Sequence, residues 1–214
     1  MSEMSATNRR KIKDLAKTIS KKVEHLNKTE TECLILEFCD LLGEKERPGE
    51  ESHGLDKDRF RGFLFNMFGM TDYMMMDGVF RAFDKDRNGF ISLEEWIQGL
   101  SVFLRGTLKE KIKHCFRVYD LNGDQTISRE EMYSFLKDSF SRLPEEDREE
   151  AVKDLVEMAM KRMDTNHDGL VTLEEFEEAV NKEDLLLEAF GPCLPDASRI
   201  EKFEQQVFQK ELEQ

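Results

Sequence analysis

The chain has few cysteines, and their spacing does not suit a metal cluster. Cys33, Cys39, Cys115 and Cys193 include no C-x-x-C pair, which is the spacing typical of structural zinc sites. Three of the four fall on predicted helical faces, so we expect reduced core thiols in an intracellular protein and no zinc. The four histidines are scattered along the sequence.

Long apolar runs are also missing. No uncharged stretch approaches the roughly 18 residues that a membrane-spanning helix needs. The N-terminus has no apolar signal segment, and Ser2 stands where N-myristoylation requires glycine. We therefore expect no secretion signal and no membrane anchor.

Catalytic motifs are absent as well. The sequence contains no H-E-x-x-H, no G-x-S-x-G and no phosphate-binding loop, so we expect no enzyme. With 46 acidic and 32 basic residues the net charge is −14, which argues against nucleic acid as the main partner.

What the chain does contain is one twelve-residue pattern, three times. The copies read DKDRNGFISLEE from Asp84, DLNGDQTISREE from Asp120 and DTNHDGLVTLEE from Asp164. Each places oxygen-bearing side chains at positions 1, 3 and 5, a β-branched residue at 8 and glutamate at 12. Calcium needs six to eight oxygens at about 2.3–2.6 Å, and the EF-hand loop offers them in this order.

In each loop, side chains at positions 1, 3, 5 and 12 and the backbone carbonyl at position 7 are the candidate Ca²⁺ ligands. Position 9, which is Ser92, Ser128 or Thr172, is expected to act through water. The candidate ligands are Asp84, Asp86, Asn88, Phe90 and Glu95, then Asp120, Asn122, Asp124, Thr126 and Glu131, and then Asp164, Asn166, Asp168, Leu170 and Glu175.

The second loop departs from the pattern at position 6, where a positive φ is needed. Gly89 and Gly169 suit that position, whereas Gln125 does not. A non-glycine residue in the left-handed region costs on the order of 1–2 kcal/mol. We therefore predict three calcium sites, of which the one at 120–131 is the weakest.

Apolar residues repeat at helical spacing on both sides of every loop, which predicts an all-α fold of four EF-hands in two pairs. The fourth hand is a degenerate one at 30–66, whose long loop has Lys45, Arg47 and Pro48 in place of ligands and Leu55 as its pairing residue. We predict a basic amphipathic N-terminal helix at 1–28, an N-lobe at 29–104, a C-lobe at 105–190 and a C-terminal tail helix at 191–214.

Both ends contain more than the hands require. An apolar stripe that includes Ile12, Ala16 and Ile19 runs along the basic helix and could dock within the chain, reach an acidic partner or adsorb weakly to a membrane. Thr29 and Glu32 form a candidate capping box for the next helix. The tail helix could be a permanent part of the core, or it could fill a groove until a target displaces it.

The remaining choice is between a calcium sensor and a soluble calcium buffer. Apolar faces rich in Met and Phe favour a sensor, because methionine lines adaptable binding grooves. Five residues are the candidate target-binding groove: Trp96, Phe103, Met132, Phe135 and Phe176. A constitutive subunit of a larger assembly is a further possibility.

Several segments resemble known families. The segment EWIQGLSVFLRGT at 95–107 is similar to the neuronal calcium sensor and calcineurin B group, which has four hands with an inactive first one. The segments FGMTD at 68–72 and LLLEAFGPCLPD at 185–196 resemble a family of axonemal EF-hand calcium sensors over nearly the whole chain.

That second resemblance implies a setting that the residues alone do not. Its members lie in the axoneme of cilia and flagella, bind outer-arm dynein and make the motor respond to calcium. We therefore expect a cytoplasmic, axonemal sensor whose partner is the dynein heavy chain, with tubulin of the microtubule as a second candidate. A regulator of another cytosolic target is the alternative.

Overall fold

The computed structural model describes residues 6–43, 54–137 and 144–209, and these are mostly helical. It confirms the prediction of an all-α EF-hand fold. The α-helices of the described ranges are α1 Ala6–Ile19, α2 Lys28–Leu42, α3 Lys57–Phe63, α4 Tyr73–Phe83, α5 Leu93–Arg105, α6 Leu108–Tyr119, α7 Arg129–Leu136, α8 Glu145–Met163, α9 Leu173–Lys182 and α10 Ala197–Phe208. Strands β1 Thr126–Ser128 and β2 Leu170–Thr172, a π-helical turn Leu64–Phe68 and a 3₁₀ turn Asp184–Glu188 complete the elements.

Capping boxes explain where several helices begin. α5, α6, α7 and α9 each follow a serine or threonine whose hydroxyl accepts a hydrogen bond from the glutamate N–H three residues later. At α2 the predicted pair was wrong, because the box is formed by Asn27 and Glu30 rather than Thr29 and Glu32. Asparagine is among the strongest N-cap residues, and Asn27 has the same three-residue spacing to a glutamate.

Contacts divide the chain into two compact units. The first unit comprises Met1–Thr71, Phe83–Gly106 and Pro195–Gln214, and the second comprises Asp72–Ala82 and Thr107–Leu194. In the first unit α1 packs on α2 and buries Ile12, Ala16 and Ile19, so the apolar stripe of α1 docks within the chain. Leu55 pairs with Ile91 in an antiparallel bridge, as the degenerate-hand hypothesis predicts.

The degenerate hand therefore pairs with the first calcium loop through Leu55, as the loops of paired EF-hands do. Lys45, Arg47 and Pro48, the residues predicted to replace its ligands, lie outside the described residues. In the second unit β1 pairs antiparallel with β2, and Ile127 lies opposite Val171 at position 8 of the two loops.

The two units differ from the predicted domains at three helices: α1, which was predicted to be separate, lies in the first unit, and α4 and α10 are also placed differently. The body of α4 belongs to the second unit, because Gly78 lets it approach α6 very closely. A Cβ atom at residue 78 would lie 2.8 Å from the backbone oxygen of Val118. α10 belongs to the first unit, where Phe203 is buried against Phe63 and Phe68. Within the described ranges, no helix combines the length and the apolar character needed to cross a bilayer.

A buried histidine in the second unit gives a pH prediction. Burial lowers the pKa of His114 from 6.5 to about 4, although a hydrogen bond to the Cys193 backbone opposes the shift. The unfolded chain therefore binds more protons between these values, and stability is lost as the pH falls from 6.5 towards 4.

We expect His114→Gln to abolish this contribution while keeping a hydrogen-bond donor at the site. Urea unfolding followed by circular dichroism should show that the wild type loses roughly 3 kcal/mol more than the variant between these pH values. Identical pH profiles for the two proteins would mean that the imidazole is not neutral and buried.

Candidate calcium sites

Each calcium loop joins two helices at its ligand residues. Asp120 and Asp164 directly follow α6 and α8, and their N–H groups donate the last helical hydrogen bonds, 2.9 Å to Phe116 O and 2.8 Å to Met160 O. The glutamate at position 12 is the third residue of the next helix in every loop. Positions 1 and 12 are therefore fixed to different helices, so any ion that binds both also sets the angle between those helices.

The first loop gathers its carboxylates closely. Oxygen atoms of Asp84, Asp86 and Glu95 all lie within 4.8 Å of one another, and Asp84 and Glu95 are buried. Asp84 accepts N–H bonds from Asn88 and Gly89 at 3.1 and 2.9 Å. Three carboxylates that converge in this way repel one another unless a cation lies between them.

The other two loops repeat the hydrogen bond from the N–H at position 6 to the carboxylate at position 1. Asp120 accepts from the Gln125 N–H at 3.0 Å, and Asp164 accepts from the Gly169 N–H at 3.0 Å. At position 5, Asp124 of the second loop and Asp168 of the third each accept a hydrogen bond at 2.9 Å from the N–H at position 7, which is Thr126 or Leu170. Within each loop these hydrogen bonds link several of the predicted ligands, and the prediction that all fifteen bind Ca²⁺ stays a prediction.

The hydroxyl at position 9 has a second role that the sequence analysis missed. The hydroxyls of Ser92, Ser128 and Thr172 donate to Oε2 of Glu95, Glu131 and Glu175 at 2.7, 2.8 and 2.9 Å. The same residues are the N-caps of the exiting helices. Position 9 therefore orients the glutamate ligand and begins the helix; the S/T-x-x-E capping motif inside each loop was the available signal.

One oxygen in the third loop fits a metal ligand especially well. Oδ1 of Asp164 is buried and has no hydrogen-bond partner among the described residues. A buried carboxylate oxygen without a partner costs free energy, and a bound cation would remove that cost. The donors in all three loops are hard oxygens with a bidentate-capable glutamate, which fits Ca²⁺.

Burial and hydrogen bonding shift the pKa values of the ligand carboxyl groups in different directions. Burial raises the pKa of Asp84 and of Asp120, against the opposing effect of their N–H bonds. Burial would also raise the pKa of Glu175, but hydrogen bonds from Thr172, Thr165 and Asn166 outweigh it and leave that pKa below its usual value. The carboxylates of Asp84 and Asp120 are therefore held at a cost in the absence of a cation.

Positive φ angles occur at two positions of each loop, so Gln125 is not the only non-glycine residue with this conformation. Each loop has a positive φ at position 6 and also at position 4, where φ is 58° for Arg87, 73° for Gly123 and 61° for His167. At position 6, φ is 71° for Gln125. Each fully described loop therefore contains one non-glycine residue and one glycine in the left-handed region, so strain does not single out the middle loop.

A partly buried cation gives a different reason to predict weaker binding at 120–131. Arg81, on α4, donates from Nη2 to Val118 O at 3.3 Å, and its Nε is buried without a hydrogen-bond partner among the described residues. Burial lowers the pKa of Arg81, while the nearby carboxylates of Asp77, Asp120 and Glu131 oppose that shift. A fixed positive charge near two ligands disfavours a dication. The sequence analysis missed Arg81, which is distant in sequence from both ligands.

Backbone strain at Gln125 and the positive charge of Arg81 are two explanations for a weaker middle site. A pair of glycine variants tests whether strain at Gln125 is special. We expect Gln125→Gly to raise the calcium affinity of the 120–131 site, and the matched Arg87→Gly to raise that of the 84–95 site similarly, each by at most about tenfold. Calorimetric titration of both variants measures this. A tenfold gain in Gln125→Gly with none in Arg87→Gly would restore Gln125 as the special residue.

The five candidate groove residues fall in both units: Trp96 and Phe103 belong to the first, and Met132, Phe135 and Phe176 belong to the second. All five are buried. Ring centroids of Trp96 and Phe63 are 4.6 Å apart, and those of Phe103 and Phe68 are 5.2 Å apart. Phe135 and Phe176 both contact Tyr119. The prediction that these residues contact a target stays a prediction.

The fold and these loops define the class of protein. The protein-family model of the EF-hand domain pair matches residues 74–135 and again residues 109–181. The two matches together cover all three loops. EF-hand pairs bind calcium, and the molecule is therefore an EF-hand calcium-binding protein.

Full-length relatives identify the family. The chain is 57% identical to calaxin of Danio rerio over 95% of its own length and 97% of the relative's. It is 54% identical to calaxin of Xenopus laevis, covering 94% and 97% of the two chains, and 54% identical to calaxin of Homo sapiens, covering 94% and 95%. The chain belongs to the calaxin family. These matches support a calcium sensor.

Proposed function

We propose that this protein is a calcium sensor of the axoneme that binds an outer-arm dynein heavy chain and makes ciliary and flagellar motility respond to calcium. Support comes from the three complete ligand sets, from membership of the calaxin family and from the axonemal setting that the resemblance implies. Tubulin is the second candidate partner. The resulting localisation is cytoplasmic, on the axoneme of the cilium or flagellum.

The neighbouring positions of Glu95 and Trp96 support the sensing step most directly. Glu95 is a ligand, and Trp96 is fully buried with its Nε1 donating to Leu34 O at 3.0 Å. Both lie in the first turn of α5, so a movement of Glu95 towards Asp84 also moves Trp96 within the aromatic core. Bound Ca²⁺ would neutralise the carboxylates and fix their separation.

In the first unit, α10 covers an apolar surface that a target helix would need to reach. Phe203 of α10 lies 6.0 Å from Phe63 and 5.2 Å from Phe68, measured between ring centroids. Arg105, the last residue of α5, pairs with Glu204 of α10 at 2.7 Å. α5 thus contains a predicted calcium ligand at one end and a contact to α10 at the other. A rotation of α5 would therefore weaken the packing of α10 against the first unit.

We infer that release of α10 exposes the surface around Phe63, Phe68 and Phe103 to an amphipathic dynein segment. Amphipathic helices bind EF-hand grooves through apolar anchors spaced like those of α10. A buffer, by contrast, would fill its loops with little change in the core.

Binding to purified outer-arm dynein tests the proposed function. Co-sedimentation at nanomolar and at saturating calcium should show calcium-dependent binding for the wild type. The variant Glu95→Gln should lose that dependence, whereas the matched control Glu94→Gln, at the neighbouring exposed position, should keep it. If the wild type fills its calcium loops but does not bind dynein at any calcium level, the protein is a buffer or regulates another target.

A further inference from the structure

Two cysteines that are far apart in sequence meet in the core of the second unit. Cys115 lies on α6, and Cys193 follows the 3₁₀ turn Asp184–Glu188. Their Sγ atoms are 2.8 Å apart, and both side chains are fully buried. Cys33 is also buried, and Cys39 is half-buried.

This sulfur–sulfur distance is short for two thiols. A disulfide bond has a length of about 2.05 Å and joins side chains whose β-carbons already face each other. The two Sγ atoms, 2.8 Å apart, are therefore within a small displacement of bonding distance.

The segment around Cys193 is held in place by several independent contacts. The hydroxyl of Tyr119 donates to Gly191 O at 2.9 Å, and the rings of Tyr119 and Phe190 are 5.0 Å apart. Oε1 of Glu188 accepts from the N–H groups of Cys193 and Leu194, both at 2.9 Å. Cys193 is flanked by Pro192 in a Pro-Cys-Leu-Pro sequence, which restricts the backbone on both sides.

We propose that Cys115 and Cys193 are a redox pair that a hydroperoxide converts reversibly into a disulfide within the second unit. The bond would link positions 78 residues apart and fix the segment 189–194 to α6. Because Asp120 directly follows α6, the bond would also restrict how far this helix moves when the 120–131 loop is filled.

The chemistry needs only the two thiols and the oxidant. The thiolate of one cysteine attacks a peroxide oxygen, the O–O bond breaks, and a sulfenic acid forms with release of water when hydrogen peroxide is the oxidant. The sulfur of the second cysteine then attacks the sulfenic sulfur and displaces the oxygen as a second water. In total, two thiols and one hydrogen peroxide give one disulfide and two waters.

Access controls the rate of this reaction. Burial raises the pKa of Cys115 well above its ordinary value, so little thiolate is present while the segment is closed. Oxidation therefore requires a local opening of 189–194, and the hydrogen bond from Tyr119 to Gly191 opposes that opening. A thiol pair with these properties oxidises slowly and specifically, because the partner sulfur is the first nucleophile that the sulfenic acid meets.

Mass spectrometry of the full-length chain tests this proposal. The calcium-free protein is treated with hydrogen peroxide, denatured, alkylated and digested. We expect a Cys115–Cys193 linked peptide that dithiothreitol releases, with Cys33 and Cys39 still alkylated. The matched variant Cys33→Ser should keep the link, and Cys115→Ser should lose it. Alkylation of both Cys115 and Cys193, or links formed mainly to Cys39, would overturn the proposal.

A second variant tests whether opening of the segment limits the oxidation; it keeps both cysteines and removes the 3.5 Å contact between Cys193 Sγ and the Tyr119 hydroxyl. Tyr119→Phe removes one hydroxyl and keeps the ring that contacts Phe190. We expect it to accelerate formation of the linked peptide several-fold, because the hydroxyl no longer donates to Leu187 O and Gly191 O, and these bonds oppose the opening. An unchanged rate would show that opening of the 189–194 segment does not limit the oxidation.

Discussion

Replacing Glu175 with glutamine is expected to reduce calcium affinity at the 164–175 loop by at least about a hundredfold. Each oxygen of Glu175 already has donors: Oε1 accepts from Thr165 and Asn166, and Oε2 accepts from Thr172. An amide keeps the shape but loses the charge and one acceptor. Loss of a charged, bidentate ligand corresponds to about 2.7 kcal/mol or more of binding free energy.

The neighbouring residue provides the control for this experiment. Glu174 is exposed and precedes the ligand directly, so Glu174→Gln changes the net charge equally but leaves the ligands intact. Calorimetric titration should show one high-affinity site fewer in Glu175→Gln and an unchanged count in Glu174→Gln. Equal losses in both variants would mean that net charge, rather than ligation, determines affinity.

We also expect the middle site to weaken in Glu175→Gln. β1 and β2 pair at Ile127 and Val171, and Arg129 donates to Gly169 O at 3.3 Å, so the second and third loops share backbone contacts. A disordered third loop would deprive the second of these contacts.

Truncating Phe203 to alanine is expected to have the largest effect on stability. Its side chain is almost fully buried, and its ring packs against Phe63 and Phe68. Replacing a buried phenylalanine by alanine costs about 3–5 kcal/mol. Trp96 is the only tryptophan and lies in the first unit, so urea unfolding followed by its emission reports on this unit.

The same variant tests the role of α10. With a loosened α10, Phe203→Ala should bind an apolar dye in the absence of calcium, as the wild type is expected to do only in its presence. Gln206→Ala, at an exposed position of the same helix, should differ from the wild type by no more than about 0.5 kcal/mol and should not bind the dye. A Phe203→Ala protein that is as stable as the wild type and binds no dye would contradict the proposal that α10 covers the apolar surface of the first unit.

The sequence is sufficient to place the three loops between their helices because the predicted ligands are local. All contacts within a loop join residues at most eleven positions apart, and the spacing of oxygen-bearing side chains is sufficient to place them. The pairing of Leu55 with Ile91 and of Ile127 with Val171 follows from the same repeat.

The contacts that the sequence does not predict are long-range. The position of α4 beside α6 depends on Gly78, whose missing side chain matters only because Val118 lies opposite. Likewise, an apolar stripe on α10 indicates burial but does not say which unit receives it. The meeting of Cys115 and Cys193 has no local signal at all, since it depends on the path of the chain after α9.

The backbone conformation at position 4 of the loops was also not predicted from the sequence. Position 6 is the known glycine position, and attention to it made Gln125 the exception. Position 4 has the same backbone requirement, and there Arg87 and His167 are the non-glycine residues. Reading one position of a strained loop therefore overstated the difference between the loops.

A calcium titration that follows Trp96 emission and apolar-dye binding together tests the central claim most directly. With magnesium present, a sensor should show one joint transition at free calcium of about 10⁻⁷–10⁻⁵ M, because filling of the loops moves α5 and uncovers an apolar surface. Calcium binding measured by calorimetry with no change in either signal would contradict the claim, and would identify a protein that holds calcium without opening.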